Sequence, residues 1–577
     1  MNTLIKKILL ILSRGQKKFL VLILGLSLIT ALFEILSLGL LIPLLNIFLN
    51  NDIQQYKESF DFIKDSSEQE ILILILLGFL FVYFIKVTVN VFLVFFNNKF
   101  KKNLLKYLSS KLLNNYLNLN ISKLVNINSS FLIRNIWGET VTFSYGLISS
   151  ITTLITELIV FFFITVLLLF YNFKTSLLLL IYFGILATYF YLKNSKKLKD
   201  LGDIKVEYNA LILKELRQSI GSIKEIYLYG LQKIFLKNFE QKISIISSSM
   251  EKRENIIQLP RHYIEFLSIT SLIMIIFFEL FNKNNLNEIF VLIGLYVFAS
   301  IRLMPGIVKI LQSFQNIKYN VPVVNLLNEE LGKYKNENTS QKNFENNQNK
   351  FTFENLTLKN VFFSYQNKNF DETEVLKDIN IKIIKGDKIG IYGKSGSGKT
   401  TLVNLLSGFC EAKSGEMLIN DKKDNLNKYL FERSIGYVQQ STYVADETVK
   451  FNITLKKNNN EIDFNKLDKI LKILNIDQII SELPNGIETS MGEKGSKFSG
   501  GQIQRIGIAR AIYRDPELLI LDEATNALDI TSQDQILKNI FEEFKNKTII
   551  LISHQSNNFN YCNKKYFLEN KLLKNLN

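Results

Sequence analysis

Thiols and imidazoles are nearly missing from this chain. Its 577 residues hold two cysteines, Cys410 and Cys562, and two histidines, His262 and His554. Two thiols so far apart form neither a disulfide framework nor a cysteine-rich metal cluster, and two histidines exclude a histidine-rich metal site. Proline is scarce, at six, beside abundant Asn, Lys and Ile. That bias follows AT-rich coding and says little about function. Apolar and basic residues are in excess. Hydrophobic residues make up 47% and the formal net charge is +16. The length points to two or more domains, and the positive mean hydropathy to membrane spans in part of the chain. A basic balance suits nucleic acid, a membrane surface or an anionic substrate, so the placement of the charges has to decide.

The apolar residues concentrate in the N-terminal half. Met1 to Lys18 is basic and mixed with Leu, Ile and Phe; the run that follows is too long for a signal peptide, so an interfacial elbow helix is expected. Six stretches approach the length a bilayer demands: Phe19–Leu49, Ile71–Phe96, Gly146–Tyr171, Thr175–Leu192, Tyr263–Phe281 and Ile289–Leu311. The third and fourth are separated only by Asn172-Phe173-Lys174, a tight turn. Segment 50–70 is acidic and is expected outside. The segments opening at Lys99, Lys101 and Lys102, and at Lys193, Lys196 and Lys197, are basic and are expected inside. Both basic segments are helix-patterned, so the spans should continue into the cytosol and turn back near Asn128–Gly138 and Ser219–Gly230. With the basic charge placed there, no nucleic-acid partner is expected.

Ionisable groups inside spans are costly and are candidates for function. Lys86 lies in span two, Arg302 and Lys309 in span six, and Arg261 just before span five; Glu34, Glu157 and Glu265 are acidic counterparts. The four cations could line a path for an anionic substrate, or pair with the carboxylates. Pro305 and Gly306 are expected to kink span six.

Residues 329–350 are Asn/Lys/Glu/Gln-rich and read as a linker between a membrane domain at 1–328 and a second domain at 351–577. From Phe351, two runs alternate like strands, Phe351–Asn355 and Leu358–Tyr365. Then comes Gly393-Lys394-Ser395-Gly396-Ser397-Gly398-Lys399-Thr400-Thr401, a phosphate-binding loop between a β-rich run and a helix-spaced one. Its glycines let backbone N–H groups cradle a phosphate, Lys399 adds a point charge, and the Thr400 hydroxyl can ligate Mg²⁺. Leu518–Asp522 is a buried strand that delivers Asp522 to Mg²⁺ through water and Glu523 to a hydrolytic water. Ser499-Gly500-Gly501-Gln502 opens a helix, Ile503–Arg514, as a second phosphate-binding terminus. His554 follows the apolar strand Thr548–Ser553, within reach of a γ-phosphate.

These motifs, in this order, resemble ATP-binding cassette (ABC) transporters over nearly the whole chain. Ser499–Gln502 looks like the signature and Gln440 like the Q-loop residue. Ala527-Leu528-Asp529 looks like the D-loop and His554 like the switch histidine. Tyr365 resembles the aromatic that stacks on adenine, and Gly492–Gly495 the exporter X-loop. Phe498, Gln439 and Asn526 depart from a common leucine, proline and serine. The resemblance implies an all-α six-helix transmembrane domain of type I ABC exporter fold, followed by an α/β P-loop cassette. It implies ATP and Mg²⁺ as cofactors, catalytic roles for Glu523, His554 and Gln440, and metal-facing roles for Thr400, Gln440 and Asp522. One phosphate loop and one signature per chain imply a homodimer with two ATP sites. The implied location is the bacterial inner membrane, among membrane lipid, with the N-terminus and cassette in the cytosol.

For the substrate, the chain resembles PglK-type flippases of lipid-linked oligosaccharides, through Lys86, Arg261, Arg302 and Lys309. In that family, basic cavity residues are thought to engage pyrophosphate. An amphiphilic, anionic glycolipid is the expected substrate. Export of a peptide, drug or lipid-A-like lipid is the first alternative, and a nucleotide-gated channel or regulator the second. Six spans exclude a soluble cassette ATPase.

Overall fold

The computed structural model describes residues 2–40, 68–119, 127–281, 286–333, 351–366, 372–423, 434–554 and 556–576, with Pro43, Ile47, Leu124 and Phe431. They form two units, Met1–Leu119 with Val125–Asn338, and Asn120–Leu124 with Thr339–Asn577.

The first unit is all helix. A short α1, Asn2–Ile11, precedes α2, Arg14–Gly39. Ser13 separates them. Its hydroxyl accepts from the Gln16 N–H while the Gln16 side chain accepts from the Ser13 N–H, a reciprocal cap that fixes where the span begins. Four long helices follow: α3, Glu68–Leu117; α4, Ser129–Tyr171; α5, Phe173–Gly221; and α7, Gln232–Phe281, with the short α6, Ile223–Leu228, before it. Then come α8, Leu286–Tyr319, and α9, Val321–Lys333. Six of these helices are long and apolar enough to cross a membrane.

At 1.5 Å per residue the 50 residues of α3 reach about 75 Å, against roughly 30 Å of bilayer hydrocarbon. Helices α3, α5 and α7 therefore run far beyond a bilayer, as their basic continuations predict. Their apolar sectors face outward: Phe95 of α3 is 69% exposed, Leu192 of α5 72% and Phe266 of α7 66%. Such faces suit a lipid surface or a partner helix rather than water.

The boundaries differ in places from those predicted. Helix α2 closes at Gly39 with Leu40 as its cap; the rest of the expected stretch to Leu49 lies outside the described residues, apart from Pro43 and Ile47. The acidic segment 50–70 lies outside the described residues except for Glu68–Glu70, which begin α3. The first turn-back is upstream of Asn128–Gly138. That stretch already lies in α4, which carries two wide π-turns at Arg134–Glu139 and Thr142–Leu147. The second turn-back is where expected, with α5 ending at Gly221 and α7 starting at Gln232. Asn172 alone divides α4 from α5. Its extended backbone ends one helix, and its side chain accepts from the Thr175 N–H to cap the next. Helix α8 runs unbroken through Pro305. Helix α9 continues to Lys333, so residues 329–333 of the expected linker are helical; 334–350 lie outside the described residues.

The second unit is α/β. Strands β1 (Asn355–Gln366), β2 (Glu372–Ile384) and β4 (Ser414–Ile419) form an antiparallel sheet in the order β2-β1-β4. Phe351 and Phe353 precede β1 and pack on Phe431 instead of forming a strand. The main sheet has the order β5-β6-β7-β3-β8-β9, where β3 is Lys388–Tyr392, β5 Ile435–Val438, β6 Leu518–Asp522, β7 Thr548–Ile552, β8 Lys564–Glu569 and β9 Leu572–Asn575. Strands β5, β6, β7, β3 and β8 are parallel. β6 and β7 are buried at every position, which explains their unbroken apolar sequences: both faces of the sheet are covered. One core, around Ile508 and Leu521, lies on one side; another, around Leu402 and Ile550, lies on the other.

Register sets the site. Ile391 of β3 pairs with Ile552 of β7, Ile552 with Asp522 of β6, and Val438 of β5 with Leu521. The segments after β3, β6, β7 and β5 therefore leave the sheet at one edge. Ile550, wholly buried at the centre of β7, carries that register. Replacing it with alanine should lower the stability of this unit by about 2–5 kcal/mol, measured as a downward shift of its thermal transition with the membrane helices' CD signal retained.

Candidate functional site

The loop after β3 turns on Gly398, whose φ of +103° is costly for any side-chain-bearing residue, and α10, Lys399–Leu406, starts directly behind it. The N–H groups of α10's first turn have no partner within the helix and point back at the loop. Lys399 is buried, and its Nζ donates to the carbonyls of Gly393, at 2.8 Å, and Lys394, at 3.0 Å. One ammonium proton stays available. The Ser397 hydroxyl is buried without a hydrogen-bond partner. An orphaned donor, a spare ammonium proton and a helix terminus converge on one small space, which fits a phosphate group. Lys394, Ser395, Gly396 and Thr400 form the exposed rim, and the Thr401 hydroxyl meets the Tyr365 phenol at 3.4 Å. That contact holds Tyr365, at the end of β1, beside the loop.

The carboxylates come from β6. Asp522 ends the strand and Glu523 follows in the left-handed region at φ +50°. Three groups converge on the Glu523 carboxylate: Gln440 Nε2 at 2.8 Å and Asn526 Nδ2 at 2.9 Å, both on Oε2, and His554 Nε2 at 2.5 Å from Oε1. Asp522 accepts from the Tyr437 phenol at 3.2 Å. Burial pushes the Asp522 carboxyl above its usual range, and the Tyr437 hydrogen bond works against that shift. Burial lowers the Lys399 ammonium, with Glu523 and Asp522 opposing it. The arrangement juxtaposes a phosphate cradle, a cation and two adjacent carboxylates. Thr400, Asp522 and Gln440 supply oxygens of the kind that Mg²⁺ takes.

After α11 (Val449–Thr454), α12 (Phe464–Ile473) and α13 (Ile476–Ser481), Ser499 caps α14, Gly500–Tyr513. Its hydroxyl accepts from the Gln502 N–H and its own N–H donates to Gln502 Oε1. This helix begins three residues earlier than predicted. The Ser499 hydroxyl keeps its proton, and Gln502 keeps its Nε2 donors, for a ligand. Asp529 caps α15, Ile530–Glu543, by accepting from the Ser532 N–H.

Two residues of this site escape sequence reasoning. Tyr437 precedes Gln440 by three positions, and only the pairing of Tyr437 with Ile520 sets its phenol against Asp522. Asn526 reads in sequence merely as a departure from serine.

In the membrane unit, Lys86, Arg302 and Lys309 come together, but they are not a free cationic lining. Arg302 Nε lies 2.8 Å from Glu34, and its Nη1 lies 3.3 Å from Glu157; Lys309 lies 2.9 Å from Glu157 and Lys86 3.1 Å from Glu34. Four helices, α2, α3, α4 and α8, contribute to one network of three cations and two carboxylates. A Cβ at Gly306 would stand 3.3 Å from Glu157 Oε2, so glycine there admits the carboxylate. Pairing wins because an uncompensated charge at this depth costs several kcal/mol. The carboxylates lie deepest, at 3% and 7% exposure, while Lys309 is 50% exposed. Arg261 is separate, pairing with Glu265 on an exposed helix face.

The Tyr437→Phe variant should lose a hydrogen bond to the charged form of Asp522. A bond of this kind is worth about three- to tenfold, so the Mg²⁺ concentration for half-maximal nucleotide hydrolysis should rise by that factor. The acid limb of the activity profile should move to higher pH.

Two family models match the chain, an ABC transporter transmembrane region over residues 20–301 and an ABC transporter domain over 376–526. A probable ABC transporter ATP-binding/permease protein of Haemophilus influenzae is 31% identical over 360 residues, 61% of this chain and 62% of that protein. A putative multidrug export ATP-binding/permease protein of Staphylococcus aureus is 37% identical over 217 residues, 37% of this chain and 36% of that one. The matches thus span under two thirds of the first relative and about a third of the second. A solved bacterial Atm1-family ABC exporter with ATP bound superposes with a TM-score of 0.77 at 17% identity, over 97% of this chain and 94% of that one. The chain therefore belongs to the ABC transporters, with a transmembrane region and an ATP-binding domain fused in one polypeptide and the fold of an Atm1-family exporter.

Proposed function

We propose that this protein is an ATP-driven exporter of the bacterial inner membrane, working as a homodimer and moving an anionic amphiphile such as a lipid-linked oligosaccharide. The engine rests on the convergence of Gln440, His554 and Asn526 on Glu523 beside the phosphate loop. Lys399 and the α10 N-terminus neutralise the ATP phosphates. Glu523 takes a proton from the attacking water, and His554 is poised at the same carboxylate. Mg²⁺, when bound by Thr400, Asp522 and Gln440, supplies electrostatic stabilisation of the phosphate oxygens. Each chain has one phosphate loop and one signature, so Ser499, Gly500, Gly501 and Gln502 of a second copy complete the nucleotide site. The N-terminus and the ATP-binding domain face the cytosol in this reading, which the basic segments near Lys99 and Lys193 support.

The anionic substrate rests on the charge cluster. Glu34 and Glu157 form its floor and hold Arg302, Lys86 and Lys309 from below. The five charges leave one net positive. Arg302 uses two of its five donors and Lys309 one of three, so donors remain for a phosphate-bearing head group. A second reading, drug export, draws on the names of the multidrug export relatives.

ATP hydrolysis by the purified chain in lipid should be abolished by Glu523→Gln, with nucleotide binding retained. A polyprenyl-pyrophosphate oligosaccharide should stimulate the wild type. Lys309→Gln should lose that stimulation and keep basal hydrolysis, because Glu157 retains Arg302 as its partner. Hydrolysis indifferent to the glycolipid but raised by apolar drugs would support the second reading. No hydrolysis by the wild type would overturn the engine.

A further inference from the structure

Glu523 is held at φ +50°, a backbone conformation that non-glycine residues rarely adopt, so its surroundings must over-determine it. Gln440 and His554 approach it from the segments after β5 and β7. Asn526 approaches from the turn that Glu523 itself begins, and its Nδ2 donates to Glu523 Oε2 at 2.9 Å.

That turn is anchored on all sides. The Asn526 N–H donates to the Glu523 carbonyl at 3.2 Å, and the Leu528 N–H to the Thr525 carbonyl at 3.1 Å. The Ala527 N–H donates to Gln504 Oε1 of α14 at 2.8 Å, and Gln533 Nε2 of α15 donates to Thr525 Oγ1 at 2.9 Å. The residues on either side of Asn526 are therefore tied to two helices, independently of any ligand. The Asn526 Nδ2 can only donate to the carboxylate, so it fixes the orientation of Glu523 Oε2. The other charged or titratable groups facing Glu523 are Asp522 on its own strand, Lys399 of α10, and His554.

We propose that Asn526 is a positioning residue for ATP hydrolysis, its amide presetting the Glu523 carboxylate through a turn tied to the helix that follows the signature. The proposal rests on the reading of Glu523 as general base. A serine here would offer a shorter hydroxyl donor; the asparagine of this chain spans the gap directly.

The test is steady-state hydrolysis by the full-length protein in lipid, as a function of ATP concentration, for wild type, N526A, N526S and N526D. N526A should lower kcat about tenfold with KM for ATP within about twofold, and N526S should recover part of the loss. N526D is nearly isosteric and keeps the fold. It sets an acceptor where the carboxylate needs a donor, and should lower kcat at least as far as N526A, with KM for ATP within about twofold. Wild-type kcat in N526A and N526D would overturn the proposal, as would a loss in N526A that N526S does not recover or that falls equally on KM, which marks a structural role alone. A wild type without Glu523-dependent hydrolysis would overturn the general-base reading and this proposal with it. An active wild type with silent Asn526 variants would sink the proposal alone.

Discussion

Charge taken out of water must be met by an opposite charge or by a hydrogen-bond donor, and both halves of this chain are arranged around that cost. In the membrane unit, Glu34 and Glu157 sit where few charges are tolerated, and Arg302, Lys86 and Lys309 are drawn onto them from two other helices. In the ATP-binding unit, Asp522 and Glu523 emerge from a strand with no solvent-facing position, and Tyr437, Gln440, Asn526 and His554 gather on them. The same physics yields a transport candidate in one place and a catalytic one in the other.

The membrane cluster shows how pairing and function coexist. A bare cationic lining would be unstable at rest, since each unpaired cation would carry its full desolvation cost. With two carboxylates beneath three cations, the cluster is nearly neutral and still presents donors at its exposed end. Because Arg302 bridges both carboxylates, α2, α4 and α8 share one point of attachment. A movement of α8 against the others has to exchange these pairs.

In the ATP-binding unit the parallel sheet does the positioning. Side chains far apart in sequence, near positions 393, 440, 523 and 554, meet because four parallel strands end in register. Two helices then brace the turn at Asn526. The result is a carboxylate whose place is set before any ligand arrives, which lowers the reorganisation needed at the moment of reaction.

The six spans, the phosphate loop, the strand ending in Asp522 and the family resemblance were all legible in sequence. Each depends on local spacing: uninterrupted apolar length, a glycine pattern before a helix, an apolar run bounded by turn residues. The boundary at Lys333, and the turn-back upstream of Asn128, were not, because helix ends answer to capping and packing as much as to composition. Nor was the partner of any ionisable side chain. Lys86 and Arg302 read equally well as free or paired, Tyr437 read as one more strand residue, and Asn526 as a substitution. Sequence alone determined which chemical groups are present and which segments cross a membrane, since both follow from residue type and run length. Only the tertiary structure decided which cation meets which carboxylate and what holds Glu523, because those contacts join residues that strand register and helix packing bring together across tens to hundreds of positions.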